Sequence, residues 1–305
     1  MDLIQPITIT DSILTSTNVT EDDYTAWDSG TAYVADDYVI IIATHLVWKC
    51  IVANTNKPPA DNIYDGDADP VTGHWTEVSA TNAWKMFDGK SRAATSNADS
   101  IEVEVTPGEF FNSLALLNVE SETVTITVTD PTEGVVYSEN VSMVDNSEVV
   151  DFYTWFFGSI LRKTTVTKTD LPAYPEATVA IEVTETGATV EVGELVVGQL
   201  KYIGKLLYGY SVGIRDYSVK EKDDDGNATI TEGIYSDTGN FSISMKTSMV
   251  YYVKRLLASY RATPLVFIGY AEQEETIIYG FYTDFDVTIP TLLISYCTIE
   301  VEELS

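Results

Sequence analysis

At 305 residues, 45% hydrophobic and 21% charged, the chain holds enough apolar material for two or three packed cores and is not a disordered segment. Its 47 acidic against 17 basic residues leave a formal net charge of −30, which repels nucleic-acid phosphates and anionic lipid and suits partners bringing cations or a basic face. Cys50 and Cys297 lie far apart in apolar alternation and build neither a disulfide framework nor a zinc site, and two histidines, His45 and His74, leave little imidazole for chemistry.

The opening MDLIQPITITDS has an acidic position 2 and no basic region before an apolar run, so no secretory leader is expected. Residues 1–23, rich in Thr, Ser and Asp, read as a flexible arm able to clasp a neighbour. Residues 24–82 read as a small aromatic β module with a loop, NKPPADNIYDGDADPVTG, rich in Pro, Asp and Gly. Its most apolar run, VIIIATHLVWKCIVA (Val39–Ala53), is interrupted by Thr44, His45 and Lys49. A membrane span needs about 20 apolar residues, so this run reads as two buried strands. His45 and Cys50 read as a buried core pair on adjacent strand positions rather than a Cys–His nucleophile. In HWTEVSATNAWKMFDGKS (His74–Ser91), Trp75 closes the small module, SATN crosses a gap, and Trp84 with Phe87 opens the next core.

Residues 83–200 have the period-two alternation of a β-sandwich. In SIEVEVTPG, Ile101, Val103 and Val105 point inward and Glu102 and Glu104 outward. In ETVTITVTDPTEGVVYS, Val124, Ile126 and Val128 repeat the pattern before turns at Asp130-Pro131 and Glu133-Gly134. TVAIEVTETGATVEVGELVVG (Thr178–Gly198) reads as two strands around Gly187. Residues 201–305 form a C-terminal β-rich unit with one amphipathic helix near 247–261, where Val250, Val253, Leu256, Leu257 and Tyr260 recur at helical spacing. Thr247 or Ser248 is placed to cap its start, and Pro264 stops its continuation. The fold class expected is mainly β: small module, jelly-roll-like sandwich and C-terminal sheet with a single helix. No repeat of fixed period suggests a solenoid or propeller.

Two acidic loops invite a metal reading. EKDDDGNATITE puts Glu221, Asp223, Asp225, Gly226 and Glu232 at the spacing of a calcium loop, but its flanks alternate as strands and Asp225-Gly226 is a hairpin-turn signal. In DGDADP, Asp65, Asp67 and Asp69 are candidate oxygen ligands for calcium. The chain has no Gly-x-Ser-x-Gly elbow, no phosphate-binding glycine loop and no His-Glu-x-x-His helix, so no enzyme and no cofactor are expected.

Within residues 24–82, Trp27, Ser29-Gly30, Tyr33, Asp37 to Val39, Trp48, Asn56 to Pro59 and Trp75 resemble the pattern of chitin-binding-type carbohydrate-binding modules. That resemblance implies sugar rings stacked on exposed aromatic faces, with Trp75, Trp48 and Tyr38 as candidates. A module this small also needs aromatics as core, which competes for Trp27, Tyr33 and Trp48. From Trp27 to Glu300, TNAWKMFDGK, GEFFNSLALLNVESETVTITVTD, VVYS, DFYTWFF, VGELVVG, YGYSVGIRDYSVKEKDDDGN, PLVFIGY and YGFYTDFDVTI resemble a group of tailed-bacteriophage structural proteins. KDDDGN departs from that pattern, which has an aromatic before the Gly. The resemblance implies a carbohydrate-module-like unit, a jelly-roll sandwich and a tail-assembly domain in series. It implies a virion component of the tail tip, baseplate or collar that joins tail subunits or seats receptor-binding fibres. Its partners would be other virion tail proteins, copies of itself in a ring or trimer, and host surface glycan. It would be made in the host cytoplasm and end in the virion tail. Alternatives are a carbohydrate-binding protein reading host glycan and a hydrolase of cell-envelope polysaccharide.

Overall fold

Alternating apolar and polar side chains become strand pairing along most of the chain. The structure, a computed structural model, describes residues 1–304 apart from 69, 71, 146–148, 159–160 and 223–227. Two strands lie in the N-terminal segment, β1 (Asp2–Pro6) and β2 (Leu14–Thr17). The small module follows as β3 (Ala32–Tyr33), β4 (Tyr38–Ile41), β5 (Leu46–Cys50), β6 (Asn54–Thr55) and β7 (Trp75–Ala80). Next come β8 (Thr95–Val105), β9 (Ser113–Glu120), β10 (Thr123–Asp130), β11 (Gly134–Ser142) and β12 (Val144–Asp145). A short helix, α1 (Phe152–Phe157), precedes β13 (Leu161–Arg162), β14 (Val166–Lys168) and β15 (Thr178–Tyr202). The remainder holds β16 (Lys205–Leu206), β17 (Ser211–Asp216), β18 (Val219–Lys222), β19 (Ala228–Thr231) and β20 (Tyr235–Lys246). Helix α2 (Val250–Ser259), β21 (Leu265–Ile268), β22 (Ile277–Thr288) and β23 (Ile294–Glu303) complete it.

The fold is mainly β. Among the described residues, 14 strands join one sheet whose main path runs β11-β10-β15-β1-β21-β22-β23-β20-β16. Ile101, Val103, Val105, Val124, Ile126 and Val128 are buried in one core, beside their register partners Val179, Ile181 and Val183 of β15. The expected inward faces of β8 and β10 are therefore the observed ones.

Strand β15 departs from the two-strand expectation. It runs unbroken for 25 residues, through Gly187 and past the boundary expected at residue 200. Its first half lies between β8 and β10, and its second half pairs β9 and then β1. The register against β8 shifts between Thr184 and Thr189, where several residues oppose Asp99. Asp99 (φ 65°) and Gly187 (φ 80°) both take left-handed backbone, and the Gly187 N–H donates to Asp99 Oδ1 at 2.6 Å. A bulge of this kind bends a strand without reversing it, letting one strand serve both layers of a sandwich. A Gly–polar cluster signals a bulge and a hairpin equally well; pairing partners decide between them.

The N-terminal arm is also corrected. Its first residues form β1, which pairs antiparallel with β15 on one side and β21 on the other. Leu3 points into the C-terminal core with Phe241, Leu257 and Phe267, while Ile4 packs with Ala115, Val196 and Val266 in a third core between the two larger ones. Both are fully buried. β2 adds to β8, so this segment is built into the sheet and is not a free clasp.

Helix α2 buries Val253, Leu256 and Leu257, as its spacing predicts. Its start differs. A 3-10 turn over Thr247–Met249 leads in with no side-chain cap, because the Thr247 hydroxyl is engaged with Ser295 Oγ and Thr291 O across the sheet. The strands flanking the acidic loop after Glu221 pair as a hairpin, Val219 with Thr231 through Lys222 with Ala228; Asp223, Asp225 and Gly226 lie outside the described residues.

Substituting Ile4→Ala removes side-chain volume from the middle of the sheet and should cost about 2–5 kcal/mol. An exposed control, Val135→Ala on edge strand β11, should stay within about 0.5 kcal/mol. Urea unfolding midpoints of the two variants check this.

Candidate functional surfaces

The small module is assembled around its aromatics. Tyr33, Val39, Trp48, Cys50 and Trp75 form its core, with Trp27, Ile41 and Leu46 packed on it. Trp75 is 0% exposed and its Nε1–H donates to Lys57 O at 2.9 Å, tying the closing strand to the proline loop. Tyr33 meets its ring edge-on at 5.1 Å, and the Tyr33 hydroxyl oxygen accepts the Asp28 N–H at 2.7 Å. Trp48 is 3% exposed. Neither Trp75 nor Trp48 offers a ring face to a sugar, which corrects that expectation: a module this small needs its large aromatics inside to exclude water.

Tyr38 remains at the surface. It stacks on Tyr24 with centroids 5.0 Å apart, and Tyr24 is exposed. Lys49 Nζ lies 5.7 Å from the Tyr38 ring and 2.7 Å from Asp36 Oδ1, whose carboxylate holds the ammonium charged. Because Tyr24 covers a face of Tyr38, the ring left for a sugar to stack on is that of Tyr24, with the Lys49–Asp36 ion pair beside the stack as a polar group for hydroxyls. Sequence reasoning missed Tyr24, because it precedes the module's first strand and only the fold carries it onto Tyr38.

The calcium reading of the proline loop gains no ligand set. Asp65 Oδ1 accepts the backbone N–H groups of Asp67 (3.0 Å) and Ala68 (3.2 Å), an Asx turn. Asp69 lies outside the described residues. Among the described residues no three His, Cys, Asp or Glu side chains converge on a point that would hold a metal.

His45 and Cys50 are likewise separated. His45 occupies the β4–β5 turn with φ 56°, not a strand position. Its ring stacks on Trp84 at 3.9 Å, with Nδ1 2.8 Å from Glu21 Oε1 and Nε2 2.9 Å from Asp11 Oδ1. Glu21 also accepts from Trp84 Nε1 (3.0 Å) and the Thr81 hydroxyl (3.1 Å), and Asp23 accepts the Asn82 N–H. These contacts clamp the small module to the sandwich. The Cys50 thiol donates to Val52 O at 3.2 Å, and burial raises its pKa; burial also pushes the Cys297 thiol up, to about 12.

Helix α1 is a cluster of exposed aromatics. Phe152, Tyr153, Trp155, Phe156 and Phe157 all stand in solvent, with Phe152 82% and Trp155 63% exposed. They touch one another, Tyr153 to Phe157 at 5.1 Å and Trp155 to Phe156 at 4.6 Å. Only Thr154 interrupts the run, and it forms a capping box with Asp151: the Thr154 N–H donates to Asp151 Oδ1 at 2.8 Å and the Thr154 hydroxyl oxygen accepts the Asp151 N–H at 3.1 Å. The helix stands between the paired strands β12 and β13. Below it, Arg162 grips Glu185 through both guanidinium nitrogens, and Thr164 donates its N–H and hydroxyl to Glu274 at 2.7 Å. The sequence reading expected one helix only; DFYTWFF has no apolar–polar period to announce another. The Asp151–Thr154 cap was its available signal. A second apolar tip, Leu292 and Leu293, lies in the β22–β23 turn, where Leu293 O accepts the Thr247 N–H.

No known protein family matches the sequence, and no curated protein matches it. Among solved structures, a chitosan-binding module from a chitosanase/glucanase of Paenibacillus sp. IK-5 aligns over 38% of this chain and 83% of its own, with 16% identity and a TM-score of 0.25. That overlap is too slight to assign a fold or a ligand.

If Trp75 is core, Trp75→Ala should unfold or loosen the small module, at a cost of about 3–5 kcal/mol. Tyr24→Ala should leave the melting profile within about 0.5 kcal/mol of wild type. Calorimetry of both variants separates the two roles.

Proposed function

We propose that this chain is a structural subunit of a bacteriophage tail, at the tip, baseplate or collar, with no catalytic activity of its own. The observation that supports it most is α1. Burying one aromatic side chain contributes about 1.5–3 kcal/mol. Five of them together supply roughly 7–15 kcal/mol, enough to offset the loss of about 4–15 kcal/mol of freedom on association. An isolated chain gains nothing from holding these rings in water; a subunit that packs them against a neighbour does. The tail context comes from the sequence resemblance spanning Trp27 to Glu300, which implies a ring or trimer alongside other tail proteins. The acidic surface agrees with a partner that is not nucleic acid. The same reading makes the host cytoplasm the place of synthesis and the virion tail the final location.

A second reading has its own observation. The exposed Tyr24 stacked on half-buried Tyr38, beside Lys49 and Asp36, fits recognition of host surface glycan, and a tail subunit can carry such a patch.

Analytical ultracentrifugation and immunogold labelling of phage particles test the first reading. We expect an oligomer or incorporation into tails, weakened at least about tenfold by Trp155→Ser with Phe156→Ser while the fold is retained, as befits a pair of central aromatics. A strictly monomeric chain absent from particles overturns it, and clearing on a peptidoglycan or capsule zymogram overturns the non-catalytic assignment. For the second reading, Tyr38→Ala should reduce retention on immobilised glycan; binding to no glycan on an array dismisses it.

A further inference from the structure

The turn after the 3-10 segment Asn82–Phe87 touches both β15 and the C-terminal sheet, and there the buried Glu194 carboxyl accepts a hydrogen bond from the residue next to the half-buried Asp88. Gly193 of β15 makes room for it: a Cβ at that position would sit 1.9 Å from Ser91 O. Asn118 Nδ2 donates to Ser91 O at 2.9 Å, and the Ser91 hydroxyl donates to Glu303 Oε1 (3.3 Å) and Leu304 O (3.2 Å). Next to this contact lies Glu194, 4% exposed. Its Oε2 accepts the Gly89 N–H at 3.1 Å, and its Oε1 lies 3.3 Å from the hydroxyl of Tyr279, a buried residue of β22. Asp88, at the end of the 3-10 segment, uses Oδ1 to accept the Lys90 N–H at 2.8 Å. Its Oδ2 is buried and has no hydrogen-bond partner.

We propose that Asp88 and Glu194 hold one proton between them, forming a protonation-dependent latch that docks the turn 88–92, and the sandwich with it, onto the C-terminal sheet. Glu194 is buried and the Asp88 Oδ2 atom is shielded from water; two ionised carboxylates brought together with so little hydration repel, so such a pair keeps a proton. Among the described residues no cation forms an ion pair with either group. From their own turn, Lys85 and Lys90 act on Asp88 only at a distance. From β22 the facing group is the Tyr279 hydroxyl, itself raised by burial and by Glu194. From β20 and β23 the charges nearby are Asp237 and Glu303, with Arg92 3.7 Å from Glu303. Burial first, then the Asp88 charge, pushes the Glu194 carboxyl up to about 9, and burial raises Asp88 as well. The unsatisfied Asp88 Oδ2 is the acceptor a retained proton would serve.

The direction of the pH effect follows. Glu194 binds its proton more tightly folded than unfolded, so its contribution is complete below about pH 4.5, declines as pH rises, and is gone above about pH 9. Through this group alone the folding equilibrium constant should fall up to about tenfold per pH unit across that window.

Three measurements on the full chain test the latch. Infrared spectra of the wild type at pH 7 should show a protonated-carboxyl stretching band that Glu194→Gln removes; absence of that band overturns the proposal. Trypsin cleavage after Lys90 and Arg92, normalised to a reference peptide, should rise at least about tenfold between pH 7 and 9.5 in wild type, as expected for a turn whose local opening becomes easier. In Glu194→Gln that rise should vanish; equal pH profiles in the two proteins overturn it. Asp88→Asn, which removes the neighbouring charge, should move loss of the band to lower pH, and serves where Glu194→Gln fails to fold. An unmoved band in Asp88→Asn overturns the pairing.

Discussion

Strand β1 is the constraint on which the rest depends. Five residues pair on one edge with the end of β15 and on the other with β21, converting two sheets into one. Its successive side chains serve different cores, Leu3 with the α2 side and Ile4 with the layer shared by β9, β15 and β21. Period-two geometry makes this possible, since neighbouring residues of a strand face opposite sides. Without β1 the backbone groups of Leu200 to Tyr202 and of Val266 to Ile268 would be left as open edges. Both pairings are distant in sequence, so their loop-closure cost precedes any gain from burial.

The other attachments are made by carboxylates. Glu21, Asp23 and Asp11 hold the small module to the sandwich through His45, Thr81, Asn82 and Trp84. Glu274 holds the base of α1, and Glu303 accepts the Asp237 N–H while contacting Ser91 and Arg92. Asp28, Asp37, Asp130 and Asp216 each accept a backbone N–H in a local turn. Much of the acidic excess is thus structural. Its consequence for partners is a surface that repels polyanions, while the contact we assign to assembly is aromatic rather than charged.

The surfaces we assign to assembly and to glycan lie apart rather than in one cleft. Among the described residues no core includes the rings of α1, and the Asp151–Thr154 capping box closes the first turn of that short helix. The Tyr24–Tyr38 stack is displayed because Trp75, Trp48 and Tyr33 take the interior of the small module. Core and surface aromatics there are the same residue types, so composition alone assigns neither role.

The sequence by itself determined the mainly β class, the inward faces of β8 and β10, and the buried face of α2, because periodicity is a local property that burial follows directly. It also separated Trp75 from Trp84 and Phe87, which pack on different cores. Only the tertiary structure decided that Asp2–Pro6 is a central strand, that Thr178–Tyr202 is one bent strand, and that Trp75 is interior while Tyr24 is displayed. Each of these depends on which distant segment supplies the pairing edge or covers the side chain. The hydrogen bond from the Gly89 N–H to Glu194 is of the same kind, joining residues 105 positions apart that meet only once the chain is folded.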